Sequence, residues 1–198
     1  MSELVPTAHF VDISHYEPEI DFHTLAGAGA CPLVITKCSE GSRYTDPTYA
    51  GFAQRVRTVP GLIFGSYVFL DAGDPSPQVS HYLSAAHLQP GDLQPVVDAE
   101  AAGLTQQQTF DALHQLEASG YRPILYASLS FFNDVLGSPN RWWLWLAAYR
   151  DTLPALPAGV KLFAWQHADN SVFPGVASPC DGNYLYVPVA DLKTKFSV

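Results

Sequence analysis

The 198-residue chain has few basic residues: it contains 10 Lys and Arg against 19 Asp and Glu, for a formal net charge of -9. Proteins that bind nucleic acid contact the phosphates mainly through Lys and Arg, so this balance argues against nucleic acid as a partner. The sequence also shows no run of basic residues that would indicate an anionic membrane surface. Its acidity is therefore interpreted as a contribution to solubility.

Cysteine is scarce as well. Cys31, Cys38 and Cys180 have no metal-ligand spacing and are odd in number, which predicts neither a disulfide framework nor a zinc site. Long apolar runs are missing, since the densest one, residues 142–149, is too short to span a bilayer. Residues 1–9 lack the charged start and apolar stretch of a secretory signal, so we expect synthesis in the cytoplasm without a signal peptide.

The chain does have strand-like apolar segments that alternate with helix-like ones. The expected strands lie at residues 9–14, 33–39, 62–70, 94–99, 123–127, 143–149, 162–167 and 183–187. The expected helices lie at residues 21–28, 47–56, 78–86, 105–118 and 129–136. Repeated strand–helix units predict an α/β fold with a parallel sheet. About eight strands would close a TIM-like (β/α) barrel, here with last connections that lack regular helices. Without repeats or linkers, residues 1–198 are expected to form a single barrel domain.

The segment at residues 95–100, with the sequence PVVDAE, is typical of a buried strand that ends in two acids, Asp98 and Glu100. Alternation along a strand would put both side chains on the same face. Two carboxylates held together do not both ionise easily, so one tends to keep its proton near neutral pH. A protonated acid beside an ionised one is what glycoside hydrolysis requires. The alternative is a strand end whose acids cap the next helix, which is the commoner role of an isolated Asp-x-Glu.

Other acids fall near the ends of predicted strands, where a barrel gathers its chemistry. Asp12 lies late in the first strand, Glu40 follows the second, and Asp181 precedes the last. We expect four strand-associated acids to converge on one pocket: Asp12, Asp98, Glu100 and Asp181. Aromatic residues, whose faces stack on sugar rings, occupy similar positions: Tyr67, Tyr126, Tyr149 and Trp165. Together these positions predict a carbohydrate cleft.

Seven short segments form an ordered pattern through nearly the whole chain. They are Asp12-Ile13-Ser14, residues 37–41 (KCSEG) with Tyr44 and Asp46, residues 65–69 (GSYVF), Asp98-Ala99-Glu100, residues 145–149 (WLAAY), Trp165-Gln166 and Asp181-Gly182-Asn183. The pattern resembles the family 25 glycoside hydrolases, the lysozymes (N-acetylmuramidases) that cut bacterial peptidoglycan. Two positions depart from it. Val68 stands where a histidine is usual, which we expect to remove a polar group from the cleft, and Cys38 is a mild change between small residues.

The resemblance implies hydrolysis of the β-1,4 bond between N-acetylmuramic acid and N-acetylglucosamine, without cofactor or metal. Glu100 would be the general acid and base, and Asp98 an ionised carboxylate that orients the 2-acetamido group or stabilises the oxocarbenium-like centre. Asp12 and Asp181 would help to keep Glu100 protonated. The residues expected to contact the glycan are Tyr67, Tyr126, Tyr149, Trp165, Glu40 and Asn183.

Two other functions stay open. A non-catalytic glycan-binding barrel would not need all four acids. A metal-dependent hydrolase could use them as oxygen ligands, but the sequence has no His-x-His or His-Glu-x-x-His pattern. For the muramidase we expect a monomer with a single catalytic domain, no separate cell-wall-binding domain and no membrane insertion. It would act on bacterial peptidoglycan after release or secretion, and an immunity or delivery partner is left open.

Overall fold

The computed structural model describes residues 4–29 and 31–198. The strands are β1 (Ala8–Ile13), β2 (Leu33–Glu40), β3 (Tyr44–Thr45), β4 (Ile63–Phe69), β5 (Val96–Asp98), β6 (Ile124–Ser128), β7 (Trp143–Ala147), β8 (Lys161–Ser171) and β9 (Cys180–Leu185). The helices are α1 (Phe22–Gly27), α2 (Tyr49–Arg57), α3 (Pro75–Ala86), α4 (Gln106–Ala118) and α5 (Val189–Leu192), with a π-helical turn at Phe131–Val135. The short strand β3 and helix α5 were not predicted from the sequence.

Eight strands close into a barrel in the order β1-β9-β8-β7-β6-β5-β4-β2, because β2 also pairs with β1. The two-residue strand β3 forms a hairpin with β2 outside this ring. This confirms the predicted α/β TIM-like barrel. Neighbouring strands are parallel except at β9, which runs antiparallel to both β8 and β1. The fully parallel sheet was therefore wrong for this one strand, because the eight residues between β8 and β9 are too few for a crossover.

Helices α1, α3 and α4 begin where a polar side chain accepts from their free backbone N–H groups. The carboxylate of Asp74 accepts from the backbone N–H of Ser76, so α3 begins at Pro75, three residues earlier than predicted. Thr105 and Gln108 form the predicted capping box at the start of α4. Helices α2 and α3 pack on β2 and β4, and α4 packs on α3 and β5. No helix within residues 4–29 and 31–198 is long and apolar enough to cross a membrane.

The two ends of the barrel differ. At the N-terminal ends of β7 and β8, Phe196 packs against Trp143 and Phe163, with ring centroids 5.1 and 5.3 Å apart. The Gln94 backbone N–H also donates to the Phe196 carbonyl, so the C-terminal segment covers this end. The opposite end, where the parallel strands finish, opens into a polar cavity. The three cysteines are buried free thiols.

Candidate active site

A cavity of ≈ 330 Å³, partly open to solvent, lies at the carboxyl ends of the parallel strands. The residues that line it are Asp12, Tyr67, Val96, Asp98, Glu100, Tyr126, Trp145, Gln166 and Asp181. The structure thus brings the four predicted acids together. Part of the lining follows directly from register, since Asp98 pairs with Tyr126 and Tyr126 with Trp145 across three neighbouring strands. Side chains at paired positions share a face of the sheet, and here that face is the barrel interior.

The reversed direction of β9 places Asp181 in the cavity. Asp181 lies near the start of β9, which in a parallel strand would put it at the far end of the barrel. Because β9 is antiparallel, its start meets the end of β1, and Asp181 pairs in register with Asp12. Burial raises the pKa of Asp12 to about 6, against the lowering effect of hydrogen bonds from Asn183 and Gln166. Burial and then the charge of Asp12 raise the pKa of Asp181 to about 8.

Gln166 is the centre of the hydrogen-bond network beneath these acids. Its Nε2 donates to both carboxylate oxygens of Asp12, at 3.3 and 3.1 Å, and to Oδ2 of Asp181 at 3.1 Å. Its Oε1 accepts from the hydroxyls of Tyr126 at 2.8 Å and Tyr149 at 3.2 Å. With both ends of the amide engaged, the side chain is held in one orientation. Gln166 therefore couples the two acids to the two tyrosines.

Asn183 holds Asp12 in place through a hydrogen bond from the core side of the cavity. Its Nδ2 donates to Asp12 Oδ2 at 2.6 Å, and its Oδ1 accepts from the indole N–H of Trp145 at 2.8 Å. Asn183 is fully buried and does not line the cavity, so the structure places it under the acids. Trp145 forms part of the cavity wall, and its ring lies 4.9 Å from that of Tyr126 in an edge-to-face arrangement. These contacts fix the position of Asp12.

Asp98 and Glu100 differ in their surroundings although they share the cavity. Asp98 ends β5 and is buried, and its Oδ1 has no hydrogen-bond partner in the part of the chain that the structure describes. Burial, followed by the charges of Glu100 and Asp12, raises the pKa of Asp98 well above its usual range. Glu100 lies beyond the strand at the exposed rim, and burial and then the charge of Asp12 raise the pKa of Glu100 as well. Lys37 opposes both shifts.

Three tyrosines surround the acids. Tyr67 and Tyr126 line the cavity, and burial together with the Asp98 charge raises the pKa of each phenol, so both stay neutral donors. Tyr149 is 56% exposed and reaches the cavity only through its hydroxyl contact with Gln166. The exposed ring of Tyr149 is thus available to a ligand at the mouth of the cavity.

Besides Asn183, which was expected to contact the glycan, three positions lie elsewhere than the sequence suggested. Trp165 is 3% exposed on the face of β8 opposite to Gln166, where its indole N–H donates to the Ala148 carbonyl. Glu40 is outside the cavity and forms an exposed ion pair with Lys37 at 2.6 Å. Val68 is fully buried in the core, next to the cavity residue Tyr67. The expectation that position 68 faces the cleft therefore fails, because successive strand residues point to opposite faces.

The sequence assigned no role to Gln166 or Trp145, although both line the cavity. A usable signal existed for Gln166. Strand alternation places it on the face opposite to Trp165, so only one residue of the Trp-Gln pair can face the interior. No such signal existed for Trp145. Its place in the cavity follows from the register between β6 and β7, which cannot be read from one sequence.

No group of three or more His, Cys, Asp or Glu side chains within residues 4–29 and 31–198 is arranged to hold a metal ion. The side-chain amides of Gln166 and Asn183 donate to the carboxylate of Asp12. One carboxylate oxygen of Asp98 has no hydrogen-bond partner among the described residues. The geometry therefore offers two kinds of group to a ligand: hydrogen-bond acceptors on buried acids and neutral phenol donors.

Comparison with known proteins identifies the family. Residues 11–176 match the model of "Glycosyl hydrolases family 25", and the chain belongs to that family. It is 27% identical over 180 residues to an "Autolytic lysozyme" of Clostridium acetobutylicum, with coverage of 86% of this chain and 53% of that protein. It is 26% identical over 155 residues to an "N,O-diacetylmuramidase" of Chalaropsis sp, with coverage of 68% and 72%. The chain thus spans about half the length of the first relative.

Solved structures agree on the fold. A bacterial lysozyme from Streptomyces coelicolor superposes with a TM-score of 0.84 at 22% identity, covering 94% of this chain and 95% of that one. A family 25 glycosyl hydrolase from Bacillus anthracis gives a TM-score of 0.85 at 18% identity, covering 98% and 94%. The overall fold is therefore shared despite low sequence identity.

Proposed function

We propose that the protein is a muramidase that hydrolyses the β-1,4 bond between N-acetylmuramic acid and N-acetylglucosamine in bacterial peptidoglycan. The observation that carries the proposal is the convergence of four carboxyl groups with raised pKa values on one cavity. Family membership and the names of the two sequence relatives support the same activity. Glycoside hydrolysis is the reaction for which such a set of acids is suited.

Glu100 is proposed as the general acid and base. It lies at the exposed rim, where it can reach a glycosidic oxygen that enters from solvent. Its raised pKa increases the fraction of Glu100 that holds a proton near neutral pH. Glu100 would donate that proton to the leaving oxygen and later accept one from the attacking water. The inward-lying Asp98 cannot take this role as readily, because it is buried at the end of β5.

Asp98 is proposed to act on the 2-acetamido group of the substrate. In the unliganded cavity its Oδ1 is unpartnered and its pKa is raised, which favours a protonated carboxyl rather than the ionised form expected from the sequence. An amide N–H from a bound sugar would supply the missing donor, and such a bond favours the charged form. Substrate binding would thus favour release of the Asp98 proton to water and place the carboxylate charge beside the reacting carbon.

Asp12 is proposed to keep negative potential close to the catalytic pair, next to an Asp181 that is mainly protonated near neutral pH. The charge of Asp12 raises the pKa of both Glu100 and Asp98. Asp12 itself is stabilised as a carboxylate by Asn183 and Gln166. The predicted glycan contacts of Tyr67, Tyr126 and Tyr149 belong to the same proposal, since these three hydroxyls or rings border the cavity.

Digestion of purified peptidoglycan, followed by reduction and mass spectrometry of the products, tests this function. Fragments that end in reduced N-acetylmuramic acid are the expected result. Glu100→Gln should lower turnover by about 100-fold or more while leaving the melting temperature unchanged. Glu19→Gln is the matched control, because Glu19 is exposed and outside the cavity.

Three other results would contradict the proposal. Binding of intact glycan strands without any cleavage would indicate a glycan-binding barrel. Complete loss of activity in the presence of a chelator would indicate a metal-dependent hydrolase. Near-normal turnover by Glu100→Gln would contradict the role of Glu100. The identity of the bond that is cut would then rest on the mass of the products alone.

A further inference from the structure

A second groove, of ≈ 790 Å³, lies at the end of the barrel opposite to the acidic cavity. The residues that line it are Arg122, Pro123, Arg141, Trp142, Trp143, Lys161, Lys195 and Phe196. It contains four of the ten Lys and Arg of a chain whose net charge is -9. These four cations are widely separated in the sequence, so no basic run is visible there. The fold assembles them, because β6, β7 and β8 begin side by side at this end.

Two of the four cations are free to meet a ligand. Arg141 pairs with Glu117 at 2.6 Å, and Lys195 pairs with Asp191 at 2.8 Å. Arg122 and Lys161 are exposed and have no carboxylate within 4 Å in residues 4–29 and 31–198. The Lys161 ammonium donates one hydrogen bond, to the Arg141 carbonyl at 3.0 Å, which leaves donors for an anion.

An exposed tryptophan lies between these two cations. The register aligns Ile124 on β6, Trp143 on β7 and Lys161 on β8, and Arg122 precedes Ile124 by two residues. Neighbouring strands are about 4.8 Å apart, so Lys161 lies beside Trp143 on β8, and Arg122 lies on its other side, just before β6 begins. Trp143 is 36% exposed, and Phe196 covers it edge-on at 5.1 Å. An indole face between two cations can hold a sugar ring that carries an anion on each side.

We propose that this groove binds a phosphodiester-linked saccharide chain, with a sugar ring on Trp143 and the flanking phosphates on Arg122 and Lys161. The choice of a saccharide as partner rests on the proposed action on bacterial cell walls, where polymers of this chemistry accompany peptidoglycan. A long nucleic acid suits it less well, because two free cations provide few phosphate contacts and the rest of the chain is acidic.

Binding of a short glucosylated poly(glycerol phosphate), measured by isothermal titration calorimetry, tests the site directly. Arg122→Gln with Lys161→Gln should raise Kd about tenfold or more, since two charged hydrogen bonds are lost. The matched control is Arg43→Gln with Lys193→Gln, which changes net charge equally at exposed positions outside the groove and should alter Kd less than about twofold. Trp143→Ala should remove the preference for the glucosylated over the unsubstituted polymer.

Other ligands and a second readout make the outcome decisive. Equal Kd for poly-L-glutamate or for a single-stranded oligonucleotide would overturn the saccharide assignment, as would an unchanged Kd in the Arg122 and Lys161 double variant. These two substitutions are at exposed positions, so a circular dichroism melt should match that of the parent protein. The double variant should also cleave soluble peptidoglycan fragments at the parent rate. Failure of the parent protein to cleave would count against the proposed function, whereas loss of polymer binding would count against the groove alone.

Discussion

Asp12 and Asp181 lie opposite each other on the antiparallel strands β1 and β9, and the single Nε2 of Gln166 donates to both carboxyl groups. Burial raises the pKa of Asp12 to about 6, and burial followed by the charge of Asp12 raises the pKa of Asp181 to about 8. Near neutral pH the pair therefore holds one proton, chiefly on Asp181. The reversed last strand gives the cavity a carboxylate and a carboxylic acid side by side.

The first prediction concerns stability against pH. The pKa of Asp181 is about 8 in the folded protein against 3.8 ordinarily, so the folded state binds this proton more tightly than the unfolded state. The free energy of unfolding should consequently fall as pH rises from about 4 towards 8. Asp181→Asn removes this titration, and its melting temperature should exceed that of the parent by about 2–4 °C at pH 8, with a smaller gain at pH 5.

The control for this series is Asp151→Asn, which changes charge at an exposed position. Its melting temperature should follow the parent curve from pH 5 to pH 8. An Asp181→Asn curve with the same pH slope as the parent would show that Asp181 is not protonated in the folded state.

The second prediction concerns Gln166. Gln166→Met keeps the length of the side chain but removes the donor to Asp12 and the acceptor for Tyr126. The free energy of unfolding should fall by about 1–3 kcal/mol, because buried polar groups lose their partners. The hydrogen bond from Gln166 lowers the pKa of Asp12, so its loss should move the acidic limb of the pH–rate profile to higher pH. Gln107→Met, on the exposed face of α4, should change neither quantity. An unmoved acidic limb would indicate that Gln166 has only a structural role.

The sequence predicted the barrel because its strand–helix alternation is strong, and it predicted the acids because they follow apolar strands. It did not predict the direction of β9, since strand direction depends on the length of a connection whose start and end were misplaced by four and three residues. It also did not show which residue of two neighbouring pairs faces the barrel interior: Gln166 rather than Trp165, and Tyr67 rather than Val68. In each pair, the residue that faces the interior depends on the register of a strand, and a shift by one residue exchanges the two faces. Distance along the sequence likewise hid the basic groove, which forms only when β6, β7 and β8 align.

The third prediction concerns Asp98, which is buried with an unpartnered oxygen. An uncompensated buried acid does not stabilise the fold, so Asp98→Asn should leave the free energy of unfolding at pH 7 unchanged or higher. Turnover should fall by about 100-fold, because the amide cannot supply the charge that the reaction needs. Denaturant melts and initial rates on soluble peptidoglycan measure the two effects separately. A clear loss of stability in Asp98→Asn would show that the carboxyl group has a structural partner in solution.

The fourth prediction separates two aromatic residues that the sequence placed together as glycan contacts. Trp165 is 3% exposed, bonds to the Ala148 carbonyl and lies 5.6 Å from the ring of Tyr184, whereas Tyr149 is 56% exposed beside the cavity. Trp165→Ala should therefore lower the free energy of unfolding by about 3–5 kcal/mol and leave KM unchanged in the folded fraction. Tyr149→Ala should raise KM severalfold with little change in melting temperature, since its ring is mostly in solvent. Steady-state kinetics below the melting temperature of the Trp165 variant measure both effects. A raised KM in Trp165→Ala with unchanged stability would mean that the glycan reaches the outer face of β8, and the cleft would then extend past the cavity over that strand.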